Sequence, residues 1–122
     1  MASISDEAIR KVFVELQANY IHSQQQANTV KAQIQSKQRE RKLAELTRRE
    51  LDSLDSQTKT YKPVGKMFIQ SPLSEMKQQY VDSINTSDEN IKQLEKTQKY
   101  WERAASDAQG NLKDILQGPR TM

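Results

Sequence analysis

Apolar side chains recur in heptads along the first half of the chain, and this repeat restricts the fold more than any other feature. Their spacing alternates between four and three residues, as the a/d seam of a coiled coil requires. One position holds Ile9, Leu16, Ser23, Val30, Lys37 and Ala44, and the other holds Phe13, Tyr20, Ala27, Ile34 and Arg41. Neither glycine nor proline interrupts this stretch. A long helix over 5–46 is therefore predicted, with Ser5 as its N-cap.

The second half carries its own heptad and predicts a helix over 72–117. Ser71 and Pro72 suit an N-cap and a first helical residue, and Gly118-Pro119 suits a stop. Two long helices with a short connector most simply pack antiparallel, which brings the chain termini together away from the connector. One register allowed by this arrangement sets Phe13 beside Ile115 and Ala27 beside Trp101, and a shift of one heptad stays open. One seam position holds Leu73, Tyr80, Ser87, Leu94, Trp101, Ala108 and Ile115, and the other holds Lys77, Ile84, Ile91, Gln98, Ala105 and Leu112.

Between the two heptads, residues 61–70 crowd β-favouring side chains around Gly65. Glycine supplies the positive φ that a tight turn needs, so we predict a β-hairpin over 58–70, with strands at 58–63 and 66–70. Pro63 has no N–H and must lie at an edge or a bulge. An isolated hairpin is marginally stable and leaves two open edges, which predicts pairing with hairpins of other chains. The alternative is a plain helix–helix loop.

A break in the first helix is predicted at Leu46. Thr47 and Glu50 have the spacing of a capping box, and Leu46 and Leu51 have that of a hydrophobic staple. A separate short helix over 47–55 would follow. The alternative is that the first helix simply continues.

Composition narrows the class of protein. With 34 % apolar and 29 % charged residues in 122, the chain suits a narrow helical seam in a single domain, 1–122, better than a globular core. It has no cysteine, and neither a leader nor a membrane-spanning run is visible, so a cytoplasmic location is expected. The net charge of +3 is mild and both signs are interspersed, which argues against nucleic-acid binding.

No chemical site emerges from the sequence. His22 is the only histidine, and the carboxylates are scattered along helix faces. We therefore predict no enzyme activity, no metal and no cofactor.

The apolar stripe widens at the outer ends of both long helices. Val12 and Val14 flank Phe13, and Leu116 adjoins Ile115. A two-helix seam cannot cover all of these side chains. Exposed apolar surface predicts a binding site, although ordinary sealing of a frayed coil end explains it equally well.

Three segments resemble the β-type prefoldin subunits: AELTRREL at 44–51, YKPVGKMF at 61–68 and NLKDIL at 111–116. The second is the most specific, and the likeness in element order covers nearly the whole chain. Pro63 and Trp101 depart from the family pattern.

The resemblance implies a subunit of a cytosolic, ATP-independent co-chaperone built as a hetero-hexamer of two α-type and four β-type subunits. It implies that unfolded actin- and tubulin-like chains are captured and passed to the group II chaperonin, with no role for nucleic acid or membrane. A passive coiled-coil scaffold or tether is the alternative. Client contacts would be Ile9, Val12, Phe13, Leu16, Leu112, Ile115 and Leu116, and oligomerisation contacts would be Tyr61, Val64, Met67, Phe68 and Ile69.

Overall fold

The computed structural model describes residues 6–117, so the predicted Ser5 cap and Gly118-Pro119 stop lie outside the described residues. Helix α1 (Asp6–Asp52) is followed by strands β1 (Thr60–Val64) and β2 (Met67–Ser71) and by helix α2 (Leu73–Gln117). The predicted class, two long helices with one β-hairpin between them, is confirmed.

The chain divides into two compact units, and each long helix contributes to both. The described part of the first unit comprises residues 6–33 and 94–117, and the second unit is Ile34–Gln93. In the second unit, Arg41 pairs with Asp88, and the Asp52 carboxylate lies 3.7 Å from Lys77 Nζ. Between these two ion pairs the residue number increases along α1, from 41 to 52, and decreases along α2, from 88 to 77. The two helices are therefore antiparallel there. The single domain over 1–122 stays a prediction.

The core is the heptad seam. Every predicted seam residue is buried or half-buried except Ile9, which is 39 % exposed. The buried apolar residues are Val30, Ile34, Ala44, Leu51, Leu73, Ile84, Ala105 and Ala108. No side chain among the described residues falls below 2 % exposure, as expected for a seam only two helices wide.

The predicted break at Leu46 was wrong, and so was the separate helix over 47–55. Helix α1 runs on to Asp52, and the Thr47 hydroxyl donates to the Leu43 carbonyl at 2.9 Å instead of capping a new helix. The a/d spacing continues through half-buried Arg48 and buried Leu51. Burying a leucine stabilises by about 1.5–3 kcal/mol, whereas an N-cap contributes about 1 kcal/mol. Seam packing therefore prevails over the capping motif.

Arg48 can occupy a seam position because acidic neighbours on its own helix neutralise it. Its guanidinium donates to Glu45 at 2.9 Å and to Asp52 at 3.2 Å. The hydrogen bond from Arg48 lowers the pKa of Glu45 below its ordinary value, and the same bond raises the pKa of Arg48. The hydrogen bond thus favours the charged form of both groups.

The hairpin is regular and has a two-residue turn. Thr60 pairs with Ser71, Pro63 with Phe68 and Val64 with Met67. Gly65 has a φ of +62°, and no other described residue has a positive φ. Of the two turn types that close such hairpins, only type II′ has a positive φ at the first central residue alone, so this turn is type II′.

The two described glycines predict opposite effects of alanine. Gly65→Ala is expected to destabilise the chain by about 1–2 kcal/mol, because an L side chain is strained at that φ. Gly110→Ala is expected to stabilise it by about 1 kcal/mol, because Gly110 lies inside α2 and an added Cβ meets nothing within 4 Å. Urea unfolding followed by circular dichroism measures both. Equal effects of the two substitutions would contradict the assigned turn.

Candidate functional site

The hairpin presents apolar side chains on both of its faces. Side chains alternate along a strand, so Val64, Met67 and Ile69 share one face, and Tyr61 and Phe68 share the other with Pro63. Met67 is 70 % exposed and Phe68 71 %, and Tyr61, Val64 and Ile69 are each about half exposed. All five residues predicted for oligomerisation are thus open to contact in the isolated chain.

The base of the hairpin is fixed by polar contacts. Thr60 and Ser71 are buried, and the Thr60 hydroxyl donates to the Ser71 carbonyl at 2.6 Å. The Ser71 hydroxyl has no hydrogen-bond partner, so Ser71 is not the predicted N-cap of α2. The Pro72 carbonyl instead accepts from the Met76 amide at 3.1 Å, which places Pro72 at the N-cap. The apolar part of the hairpin therefore projects from a buried base.

A second apolar surface, here called the terminal cluster, lies in the first unit. It comprises Ile9, Val12, Phe13, Leu16, Leu112, Ile115 and Leu116, the residues predicted to contact clients. Phe13, Leu16, Leu112 and Ile115 are half-buried, as seam residues should be. Ile9, Val12 and Leu116 are 39 %, 47 % and 69 % exposed. Val12 and Leu116 thus extend the apolar surface beyond the seam, and Ile9 is a seam residue that stays exposed.

The same unit contains an aromatic group that was not predicted from the sequence. The rings of Tyr100 and Trp101 meet edge to face with centroids 5.0 Å apart, and His22 meets Trp101 in the same way at 5.5 Å. Tyr100 is 64 % exposed. The signal was the adjacent Tyr-Trp pair, because only one of two successive helical residues can enter a seam.

A cavity of about 530 Å³ in the second unit is lined mainly by charged side chains, including the ion-paired Arg41, Glu45 and Asp88. Within residues 6–117, no three His, Cys, Asp or Glu side chains converge as metal ligands would. Over the same residues, neither helix is long and apolar enough to cross a membrane. Contact surfaces, rather than a cavity, are the candidate sites.

Two long helices joined by a single projecting hairpin define a prefoldin-like subunit, and comparisons with known proteins agree. The model of the family described as "Prefoldin subunit" matches residues 14–118. Proteins named prefoldin subunit 1 are 38 % identical in Tetraodon nigroviridis and 34 % in Homo sapiens, each alignment covering 98 % of both chains. The relative of that name in Arabidopsis thaliana is 31 % identical, over 93 % of this chain and 89 % of its own. The chain therefore belongs to the prefoldin family and is a prefoldin chaperone subunit.

A solved structure supports the fold independently. The crystal structure of the prefoldin beta subunit from Thermococcus strain KS-1 superposes with a TM-score of 0.81 at 21 % identity, covering 98 % of this chain and all of the other. Family membership implies assembly with other prefoldin subunits, and the family is not known for enzymatic activity.

Proposed function

We propose that this chain is a β-type subunit of a cytoplasmic hetero-hexamer that captures unfolded actin- and tubulin-like proteins without ATP. The hexamer passes them to the group II chaperonin. The hairpin is the assembly element, and the terminal cluster contacts the client. The observation that carries this proposal is the exposure of Ile9, Val12 and Leu116, although the other predicted seam residues are buried or half-buried.

The chemistry of the terminal cluster suits unfolded chains. Its members are aliphatic side chains and one phenylalanine, which recognise apolar segments without regard to their order. Contacts of this kind are individually weak. Several subunits held on one platform raise the effective concentration, so the combined affinity greatly exceeds that of a single subunit.

The exposed hairpin supports the assembly role. Met67 and Phe68 lie on opposite faces of β2 and are both about 70 % exposed. Each of the two faces therefore needs a covering partner, because exposed apolar surface of this kind marks an interaction site.

Reconstitution with partner subunits tests the proposed function. The complete complex is expected to suppress aggregation of diluted, unfolded actin equally well with and without ATP and a chelator. The physical reason is that capture relies on apolar contact alone. Light scattering measures the suppression, and the isolated chain serves as the control for multivalency. A requirement for nucleotide that resides in this chain would contradict the proposal.

A further inference from the structure

The aromatic group of the first unit has no part in the proposed assembly or client contacts. The Tyr100 ring is 64 % exposed and packs edge to face on Trp101, with ring centroids 5.0 Å apart. Trp101 is half-buried in the seam, and His22 of α1 contacts its ring at 5.5 Å. Tyr100 is therefore an exposed ring on a support that both helices hold. A side chain that is ordered before binding loses little conformational entropy when a partner covers it.

Basic side chains surround Tyr100 on its own helix. Lys96 lies four residues before it and Arg103 three residues after it, so both lie within about 60° of Tyr100 around the helix axis. Lys99 directly precedes Tyr100. All three basic residues are exposed, and none of them forms an ion pair with any residue of 6–117. Lys96, Lys99, Tyr100 and Arg103 are called the Tyr100 patch below.

Acidic residues lie away from the Tyr100 patch. Glu95 and Glu102 are on the opposite side of α2, about 140–160° from Tyr100 around the helix axis. The nearest acidic residue on the same face is Asp107, two turns further along α2. Helix α1 has no acidic residue over 16–33, the part that belongs to the same unit. The patch therefore attracts negative charge.

An exposed ring between two cations suits an acidic segment that also carries an apolar side chain. Tyrosine and arginine are enriched among the residues that contribute most to protein interfaces, and a guanidinium binds a carboxylate through two parallel hydrogen bonds. Lys96 and Arg103 are separated by about 10 Å along the helix. This distance equals about three residues of extended chain. One apolar residue with acidic residues on both sides therefore matches the patch.

A single-stranded nucleic acid fits the Tyr100 patch less well. Proteins that bind single strands combine a basic groove with several aromatic side chains, on which successive bases stack. The patch lies on the convex outer face of one helix and offers one exposed ring. Its chemistry therefore favours a protein partner.

We infer that the Tyr100 patch is a docking site for an acidic segment of another protein. An apolar or aromatic residue of that segment packs on Tyr100, and carboxylates on either side of it pair with Lys96 and Arg103. The patch lies outside the hairpin and the terminal cluster, so this role is additional to the proposed assembly and client contacts.

A synthetic peptide tests the role of the ring. The probe is a fluorescent peptide in which one phenylalanine stands between two pairs of glutamates, and its binding to the reconstituted complex is measured by fluorescence anisotropy. Tyr100→Ala is expected to raise the dissociation constant roughly tenfold, whereas Tyr100→Phe keeps the ring and leaves it nearly unchanged. Ile21→Ala is the matched control, because Ile21 is 54 % exposed in the same unit.

Charge reversal tests the role of the cations. Lys96→Glu together with Arg103→Glu is expected to weaken binding of the acidic peptide roughly tenfold or more, and to create binding of a matched peptide with lysine in place of each glutamate. Arg39→Glu together with Lys42→Glu is the control. These two residues are also exposed, form no ion pair with residues 6–117 and lie in the second unit, and their reversal changes the net charge equally.

Three results would overturn the inference. Equal weakening by the two pairs of charge reversals would show that only net charge matters. Unchanged binding to Tyr100→Ala would show that the ring makes no contact. A single-stranded oligonucleotide that binds the complex more tightly than the acidic peptide, with the same dependence on Tyr100, would assign the patch to nucleic acid. Because all the substituted side chains are exposed, circular dichroism is expected to show unchanged helix content in every variant.

Discussion

Replacing Ile9, Val12 and Leu116 together by serine is expected to weaken suppression of client aggregation strongly while the complex still forms. All three side chains are exposed, at 39 %, 47 % and 69 %, so their loss removes little packing from the seam. Each loses a partial apolar contact of about 1 kcal/mol with a client. The sum of about 3 kcal/mol corresponds to roughly a hundredfold weaker capture by this subunit. Light scattering of diluted unfolded actin measures the effect.

A matched control exists on the same helix. Leu43 and Leu46 are 66 % and 47 % exposed and lie in the second unit, outside the terminal cluster. Serine at both positions removes comparable apolar surface and is expected to leave suppression unchanged. If the triple variant suppresses aggregation as fully as this control, capture does not depend on the terminal cluster of this chain.

The seam was predictable because heptad spacing is a local property of the sequence. Residues such as Val30, Ile34 and Ile84 are buried where the a/d pattern placed them. The same pattern also indicated that the helix continues past Leu46, since Arg48 and Leu51 continue the a/d spacing of Arg41 and Ala44. The capping motif competed with that signal. The relative energies of burial and capping decide such a conflict, and these depend on tertiary packing.

The hairpin was predictable in existence but not in detail. Gly65 indicated the turn correctly. The strand pairing, however, begins at Thr60, two residues later than predicted, and ends at Ser71, one residue later than predicted. The register decides whether Pro63 lies at a hydrogen-bonded or a non-bonded position of the hairpin. A shift of one residue would exchange the two kinds of position. Exposure in the terminal cluster likewise depends on how far the opposite helix covers each side chain. The client and assembly assignments therefore stay predictions.

Phe68→Asp is expected to release this chain from the complex as a free, helical subunit. Phe68 is 71 % exposed in the isolated chain, so the substitution costs the monomer little. In an extended sheet, the phenylalanine would contribute about 1.5–3 kcal/mol on burial. The aspartate would add the cost of burying an unpaired carboxylate, which is several kcal/mol in practice. A total loss of at least about 4 kcal/mol corresponds to a dissociation constant that is roughly a thousandfold higher.

Size-exclusion chromatography of the reconstituted complex, with circular dichroism of the released chain, measures both parts of this expectation. Leu43→Asp is the matched control, because Leu43 is 66 % exposed on α1 and lies outside the hairpin. It introduces the same charge at similar exposure and is expected to leave the complex intact. Loss of helix content in Phe68→Asp would mean that the substitution unfolds the chain. Normal assembly of Phe68→Asp would show that partner subunits do not cover that face of the hairpin.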